Sequence, residues 1–289
     1  MTSLTVLDPG PLTTVQDFGR PGQAALGVGR SGACDRGAHR LANALVGNHP
    51  TLATLEVTLG GLEVDVDDDV VVVVTSGARC QMVVEGADGS WPAPHLAPFA
   101  VAAGQRLRLG TPAAGLRTYV AVRGGLDVEP VLGSRATDVL SGLGPPVVAA
   151  GAVLPVGSTP RPLPGVDVAP APEPTNDPLV VRVAPGPRRD WFGDDAWALL
   201  TGQGWTVGSD SNRVGVRLNG EPLPRLREGE LVSEGMLRGA LQVPPSGLPV
   251  LFLADHPVTG GYPVVAYVSD ADVDRCAQLR PGQQLRFRS

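Results

Sequence analysis

The chain has 289 residues, of which 43% are hydrophobic, and this is enough for one large domain or two of moderate size. Its net charge is −6, its pI is about 5.2, and only 4% of its residues are aromatic. Nucleic acid is therefore not an expected partner, because phosphate binding needs a basic surface and base stacking needs aromatic side chains.

All 23 basic residues are arginines, so the chain has no lysine. This composition excludes a lysine Schiff base, a phosphate-binding lysine of the P-loop type and a biotinylated lysine. If ATP or biotin takes part in the function, we expect another polypeptide to supply those lysines.

Cys34, Cys80 and Cys276 are far apart and odd in number, so they predict neither a zinc site nor a disulfide framework. The sequence contains no metal-binding, nucleophile-elbow or Walker motif, and we expect no metal site. The N-terminus lacks a signal-peptide pattern, and the longest valine run, 70–74, is too short to span a bilayer. These features predict a cytoplasmic protein with no membrane partner.

Short apolar runs alternate with turn residues along the whole chain, and this spacing predicts compact β-barrels or sandwiches. A few short helices are expected to interrupt the strands. Asp35 can cap the first helix, and two more are predicted over 190–200 and from Asp270. The apolar face of the first helix consists of Ala38, Leu41, Ala42 and Leu45, and His39 is predicted to lie on its polar side.

Four short motifs recur in the same order at nearly one offset, which indicates two related halves. The pairs are 9–11 with 185–187, 18–19 with 192–193, 35–36 with 212–213, and 104–109 with 282–287. A proline-rich run without apolar periodicity separates the halves. We predict an N-terminal barrel half over 1–154, a linker or surface strap over 155–178, and a C-terminal barrel half over 179–289.

The densest group of reactive side chains is 255–263, which lies between two apolar runs and is predicted to form a binding or catalytic loop. His256 is a candidate for proton transfer, and Asp255 can orient it or bind a substrate amide. The alternative is that the His256 imidazole only caps backbone groups.

The rest of this loop offers further groups for binding. Thr259 and Tyr262 supply hydroxyls, and Gly260 and Gly261 allow backbone N–H groups to approach an anion. A tight hairpin turn is the alternative reason for the two glycines.

Two arginines and one glutamine outside the loop are also candidates. Arg123 ends an apolar strand before two glycines, a pattern that suits anion binding. Arg213 can bind a carboxylate or phosphate in two-pronged geometry, although a structural arginine in an Asx-type turn fits equally well. Gln242 lies between apolar neighbours and can bind a small amide or carboxylate. Glu234 is either the partner of an arginine or an exposed charge.

Taken together, six motifs of the chain resemble the family of 5-oxoprolinase C subunits. This family is also described as allophanate hydrolase subunit 2, as the biotin-dependent carboxyltransferase family and as the antagonist of a sporulation-kinase inhibitor. The motifs are 9–20, 122–126, 133–135, 212–220, 242–247 and 259–263, and the resemblance extends over nearly the whole chain.

The resemblance implies a mostly β fold of tandem cyclophilin-like β-barrel domains and a partner of related fold, the B subunit. It implies a hydrolase subunit, active only with its partners, in an ATP-dependent 5-oxoprolinase. The B and C subunits then activate 5-oxo-L-proline with ATP and Mg²⁺ at the level of the complex, and the A subunit finishes the conversion to L-glutamate.

Two other functions remain open within the resemblance. One is a biotin-dependent carboxyltransferase acting on urea or a similar small amide, with biotin carried by another chain. The other is a non-catalytic regulatory protein that binds a kinase inhibitor similar to the B subunit.

For the 5-oxoprolinase interpretation, the candidate residues receive provisional roles. Arg123 and Arg213 would hold anionic groups, and Gln242 and Asp255 would hold the lactam amide. His256 and Tyr262 would move protons or stabilise an oxyanion. The residues of the binding group are Arg123, Arg213, Gln242, Thr259, Gly260 and Gly261.

Overall fold

The structure is a computed structural model that describes residues 2–158, 161–229 and 231–289. Its contacts divide the chain into two compact units, which we call unit 1 and unit 2. Unit 1 consists of Met1–Arg20, Asp35–Asp138 and Gly142–Thr175, and unit 2 consists of Pro21–Cys34, Val139–Ser141 and Asn176–Ser289. The chain finally passes from unit 1 to unit 2 between Thr175 and Asn176, which lies inside the predicted linker 155–178. Nothing in the sequence pattern indicated that 21–34 and 139–141 belong to unit 2.

Unit 1 is built from two antiparallel sheets. The first has the order β11-β1-β4-β9-β6-β7, and the second has the order β2-β3-β10-β5-β8. The strands are β1 (Ser3–Pro9), β2 (Leu12–Gln16), β3 (Thr54–Thr58), β4 (Leu62–Val66), β5 (Val71–Gly77), β6 (Met82–Gly86), β7 (Gly89–Pro92), β8 (Phe99–Val101), β9 (Arg106–Leu109), β10 (Arg117–Val122) and β11 (Val153–Pro155).

The core of unit 1 follows from strand alternation. In β4, Leu62, Val64 and Val66 are buried while the two acidic residues between them are not, as expected when one face of a strand is covered. Residues from both sheets share one apolar cluster, which includes Leu4, Leu55, Leu62 and Val73. Unit 1 is therefore two sheets around one core.

Helix α1 (Arg36–Leu45) begins where the sequence predicts it. The Asp35 carboxylate accepts the Ala38 N–H at 2.8 Å, which is the expected cap. Its buried face nevertheless includes His39, which the sequence pattern puts on the polar side. His39 bonds to Thr54 Oγ1 at 3.0 Å, and burial lowers its pKa from 6.5 to about 4.

Unit 2 contains a closed seven-stranded barrel in the order β12-β19-β16-β17-β14-β13-β20. A parallel pairing of β12 with β20 closes it. The elements are β12 (Leu179–Pro185), α2 (Asp194–Gly202), β13 (Trp205–Val207), β14 (Gly215–Asn219), β15 (Glu234–Gly235), β16 (Ala240–Gln242), β17 (Val250–Phe252), β18 (Thr259–Gly260), β19 (Val264–Val268), α3 (Asp270–Cys276) and β20 (Gln284–Arg288).

The helices of unit 2 differ from prediction only at their ends. The predicted helix over 190–200 is a short 3₁₀ turn, Arg189–Trp191, followed by α2. The cap of α3 is Ser269 rather than Asp270, because the Ser269 side chain accepts the Asp272 N–H. None of the helices in the described ranges has the length and apolar content that a membrane crossing requires.

The mostly β fold class predicted from the sequence is confirmed, with three α-helices in the described residues. Two of the four repeated motifs lie on strands in both halves, whereas residues 35–36 begin α1 and residues 212–213 lie in the turn before β14. The first strand of each half, β1 and β12, ends at the first proline of a Pro-Gly-Pro motif. The last repeated motif lies on β9 in one half and on β20 in the other.

Candidate functional site

The predicted loop 255–263 connects two barrel strands of unit 2. It leaves β17, returns into β19, and both of these strands pair with β16. Within the loop, β18 pairs with β15, with Glu234 opposite Gly260. Two backbone bonds extend this pairing, from Leu231 N–H to Gly261 O at 3.0 Å and from Met236 N–H to Val258 O at 2.9 Å. We call residues 231–236 and 258–261 the ribbon.

Asp255 starts the loop and forms a buried ion pair with Arg213. The guanidinium donates from Nε to Oδ2 at 2.9 Å and from Nη2 to Oδ1 at 3.0 Å, and the side chains of Asp255 and Arg213 are 0% and 1% exposed. Ser31 Oγ donates to Oδ1 at 2.6 Å, and the Val139 N–H donates to Oδ2 at 3.1 Å. These four donors fill the lone pairs of an ionised carboxylate.

Arg213 also has hydrogen-bond partners besides Asp255. Its Nη2 also donates to the Gly32 carbonyl oxygen at 2.7 Å. The preceding Asn212 accepts the Val214 N–H at 2.8 Å, which forms the Asx-type turn considered as the alternative. A substrate would have to break a buried pair to reach Asp255 or Arg213. The geometry therefore favours structural roles for both, and the catalytic and substrate-binding roles predicted for them find no support in it.

Gln242 lies on β16 and holds the loop through its side-chain amide. Nε2 donates to the Tyr262 carbonyl oxygen at 3.1 Å, and the residue is 8% exposed. No described residue donates to its Oε1. Gln242 is thus fixed by its nitrogen, while its oxygen remains an available acceptor.

Position 260 requires glycine because the Gln242 side chain closely approaches its backbone, and not because the chain turns there. Neither Gly260 nor Gly261 has a positive φ, so the hairpin-turn alternative does not apply. A Cβ at Gly260 would lie 2.6 Å from Nε2 of Gln242, whereas one at Gly261 would lie 3.3 Å from the Leu231 carbonyl oxygen. Only a residue without a side chain lets the Gln242 amide reach the loop.

His256 is half-buried beside the ribbon. Its Nδ1 lies 2.8 Å from the Pro257 carbonyl oxygen, and its ring centroid lies 6.1 Å from that of Phe252. Because a carbonyl oxygen only accepts, Nδ1 carries a proton in this contact, and in the neutral form of the ring the lone pair is therefore on Nε2. The backbone contact considered as the alternative is present, and it fixes the tautomer that a general base needs.

Tyr262 and Thr259 complete the predicted residues of the loop. Tyr262 is half-buried, and Thr259 is exposed on β18, opposite Gly235. A small apolar cluster that includes Met236 and Phe252 lies against this region, because Phe252 contacts the His256 ring and Met236 Sδ lies 3.7 Å from Gln242 Nε2. The small cluster thus lies beside both the His256 ring, through Phe252, and the Gln242 amide, through Met236, and that amide holds the backbone of Tyr262.

Arg123 belongs to unit 1. Its guanidinium donates to the carbonyl oxygens of Val46, at 3.0 Å, and of Arg161. It also lines a cavity of about 440 Å³ together with residues that include Asp69 and Val71. Two of its donors are therefore used by the backbone, and its predicted role in anion binding stays a prediction.

Glu234, for which the sequence left two interpretations, is the partner of an arginine. Arg188 Nε donates to its Oε2 at 3.0 Å, and Arg188 Nη2 bonds to its Oε1. The side chains are 37% and 27% exposed for Arg188 and Glu234. Sequence reasoning missed Arg188, although it directly follows the repeated Pro-Gly-Pro motif.

Comparison with known proteins places the chain in a family. Residues 26–289 match the family described as the carboxyltransferase domain, subdomain A and B. The chain belongs to this carboxyltransferase-domain family. The match confirms the resemblance seen in the sequence motifs.

Members of the carboxyltransferase-domain family similar to this chain carry different names. The C subunit of the 5-oxoprolinase from Escherichia coli (strain K12) is 38% identical over 290 residues, which cover 98% of this chain and 90% of that protein. The urea amidolyase of Kluyveromyces lactis has a solved structure with a TM-score of 0.91 and 30% identity. The match covers 99% of this chain but 18% of the amidolyase.

A third similar structure also belongs to a longer chain. The crystal structure of TTHA0988 matches all of this chain with a TM-score of 0.89 and 35% identity. This chain spans 56% of the length of TTHA0988.

The site of this carboxyltransferase-domain chain offers donors and acceptors for a small amide. His256 provides an imidazole, Tyr262 a phenol, and Gln242 an unused carbonyl oxygen. No group of three or more His, Cys, Asp or Glu residues within the described ranges is arranged to hold a metal ion. The arrangement suits amide recognition and proton transfer.

Proposed function

We propose that the chain is the C subunit of an ATP-dependent 5-oxoprolinase that converts 5-oxo-L-proline to L-glutamate together with A and B subunits. The observation that carries the proposal is 38% identity to a protein of that name over 98% of this chain and 90% of the relative. Identity that extends over both proteins supports a shared role more strongly than a match to one part of a larger enzyme.

The loop supports this substrate because 5-oxoproline combines a lactam N–H, a carbonyl and a carboxylate. In the proposal, Gln242 Oε1 accepts the lactam N–H, and Tyr262 donates to the carbonyl oxygen as negative charge develops there. His256 Nε2 accepts a proton from an attacking oxygen. Gly260 and Gly261 give the substrate close access to the backbone. Asp255 and Arg213 hold the loop and do not contact the substrate.

ATP and Mg²⁺ enter the proposal only at the level of the complex. The chain has no lysine to bind phosphates, and its described residues include no cluster that fits a metal ion. The chain therefore lacks the lysine of a P-loop type of phosphate site, and its described residues hold no preformed metal cluster. We assign nucleotide binding to the partner proteins, and we infer that this chain is active only in their company.

We also infer a cytoplasmic location for the complex. The three cysteines are buried and form no disulfide, which suits a reducing compartment. Secretion of the folded chain into the medium of its source cells would contradict this inference.

The test is reconstitution of the A and B subunits from the same source with and without this chain. We expect 5-oxoproline-dependent formation of glutamate, with consumption of ATP, only when the chain is present. Equal rates of glutamate formation without the chain would contradict the proposal. Retained formation of the complex with lost turnover in a His256→Ala variant would separate a catalytic role from a regulatory one.

A biotin-dependent carboxyltransferase acting on urea or a similar small amide is the second candidate function. The similarity to the urea amidolyase of Kluyveromyces lactis favours it, although the match covers 18% of that protein. Because this chain has no lysine, the biotin would be carried by another polypeptide. This function predicts bicarbonate-dependent ATP turnover with a separate carrier protein, whereas the 5-oxoprolinase predicts no requirement for bicarbonate.

A further inference from the structure

The ribbon depends on a single strand pairing for its position. Among the described strands, β18 pairs only with β15, and β15 pairs only with β18. The short sheet is separate from the seven strands of the barrel. Two hydrogen-bonded residues per strand cannot form a stable sheet alone, so other contacts must hold the ribbon in place.

The ion pair between Arg188 and Glu234 supplies one of these contacts. Glu234 lies on β15 directly opposite Gly260 of β18. Its carboxylate receives two bonds from one guanidinium, at both oxygens. The bidentate geometry fixes the direction of the pair as well as its length.

Arg188 is itself fixed to the barrel. Its backbone N–H donates to the Val264 carbonyl oxygen at 3.2 Å, and the Gly186 N–H donates to the Val265 carbonyl oxygen at 2.8 Å. Val264 is the first residue of β19, which the loop enters. The ion pair therefore connects β15 to the barrel strand that follows the candidate loop.

Gln242 provides a second attachment from a different strand. Its Nε2 bonds to the Tyr262 carbonyl oxygen, and its amide lies where a side chain at Gly260 would be. The segment 258–262 is thus held directly by Gln242 and indirectly, through β15, by Arg188. Loss of either attachment leaves the other in place, so partial effects are expected.

We propose that Arg188 and Glu234 are positioning residues that set the location of the loop from His256 to Tyr262. The inference rests on the proposed function, because it concerns the geometry of the same site. The pair is about one-third exposed on each side, and ion pairs of this kind contribute little to global stability. A displacement of about 1 Å in a catalytic group, in contrast, can reduce a rate about a hundredfold.

The test compares Glu234→Gln, Arg188→Gln and the charge-swapped double variant Arg188→Glu with Glu234→Arg. Arg217→Gln is the matched control, because Arg217 pairs with Asp210 at 3.0 Å on the surface of the same unit, and no hydrogen bond or ion pair between described residues joins that pair to the ribbon. We expect each single variant of the ribbon pair to lower kcat/KM in the reconstituted complex about tenfold, mainly through kcat. The swapped variant should recover most of the loss, and the control should stay within about twofold of the wild type.

Hydrogen exchange of the full chain supplies a readout that needs no turnover. The Leu231 and Met236 amides donate across the ribbon, so both should exchange about tenfold faster in Glu234→Gln and normally in Arg217→Gln. Unchanged exchange in the single variants overturns the positioning role. Faster exchange with wild-type kcat/KM overturns it as well. If the wild-type complex does not turn over 5-oxoproline, the proposed function fails, while the exchange result still decides whether the pair holds the ribbon.

Discussion

Two arginine–carboxylate pairs of unit 2 lie at the two ends of the candidate site and differ in almost every respect except their bidentate contact. Asp255 and Arg213 are 0% and 1% exposed, while Glu234 and Arg188 are 27% and 37% exposed. Asp255 receives four hydrogen bonds from three residues. Glu234 receives two from one arginine.

The difference shows how burial assigns a role to a charged pair. A buried pair is expensive to break, because either charge alone would remain without water or a partner, so it holds the fold in one arrangement. A half-exposed pair adds little to stability but still fixes a local geometry. The burial of Asp255 therefore favours a structural role for the most reactive-looking carboxylate of the sequence, whereas Glu234 lies where it can tune the site.

The largest expected effect is the loss of stability in Asp255→Ala. Removing this carboxylate takes two charge-assisted bonds from the buried Arg213 guanidinium, which should lower the free energy of unfolding by about 3–5 kcal/mol. Denaturant unfolding of the full chain measures the change, with Asp210→Ala as the surface control. A loss for Asp255→Ala no larger than that of the control would contradict the structural role of the pair.

Lowering the pH should destabilise unit 1 through His39, which belongs to neither ion pair. Burial lowers the pKa of His39 from 6.5 to about 4, so the unfolded chain binds a proton in this window and the folded chain does not. Stability is full above pH 6.5 and falls as the pH drops towards 4, by roughly 3 kcal/mol for His39. Unfolding measured from about pH 7 to about pH 4.5 should show this loss, and His39→Gln should reduce it. An identical pH profile in the variant would argue against the assignment.

The Gly260→Ala variant tests the attachment of the ribbon by the Gln242 side chain. The Ala Cβ would displace the Gln242 amide and break its bond to the Tyr262 carbonyl oxygen, which costs about 1 kcal/mol. Turnover should fall about tenfold, as in Gln242→Ala, and the double variant should be no worse than either single one. Gly235→Ala is the control, because a Cβ at this ribbon position meets nothing within 4 Å. Additive losses in the double variant would contradict the shared mechanism.

The smallest expected effect is the change in stability on loss of the half-exposed pair of Glu234 and Arg188. Glu234→Gln should change the free energy of unfolding by no more than about 1 kcal/mol, similar to Arg217→Gln and far from Asp255→Ala. Parallel denaturant titrations of the three variants measure the contrast. A loss in Glu234→Gln as large as that in Asp255→Ala would make both pairs structural.

Local patterns in the sequence were sufficient for the fold class and for much of the local structure. The cap at Asp35 and the strands around the candidate loop depend on neighbouring residues, and the structure confirms them. The placement of His39 on the polar side of α1 was wrong because its ring is buried between polar partners, Thr54 Oγ1 and the Pro50 carbonyl oxygen, which helical spacing does not reveal.

The role of Asp255 was not predictable from its neighbours. Its partners Ser31 and Val139 lie 224 and 116 residues away in the chain, and both belong to short segments that join unit 2 from the N-terminal half. Arg213 was predicted to bind a carboxylate or phosphate or to be a structural arginine in an Asx-type turn, but its pairing with Asp255 depends on the tertiary fold. Local spacing identifies reactive groups, and only the tertiary structure shows which of them already have hydrogen-bond or ion-pair partners.

The most direct test of the account is glutamate formation from 5-oxoproline by the reconstituted complex containing His256→Ala. His49→Ala serves as the control, because His49 is exposed in unit 1 and its side chain bonds to Thr51 within its own turn. We predict a loss of about a hundredfold in kcat for His256→Ala, with normal assembly and an unfolding midpoint close to that of the wild type. Wild-type turnover by a folded, assembled His256→Ala complex would contradict the assignment of the catalytic site to this loop.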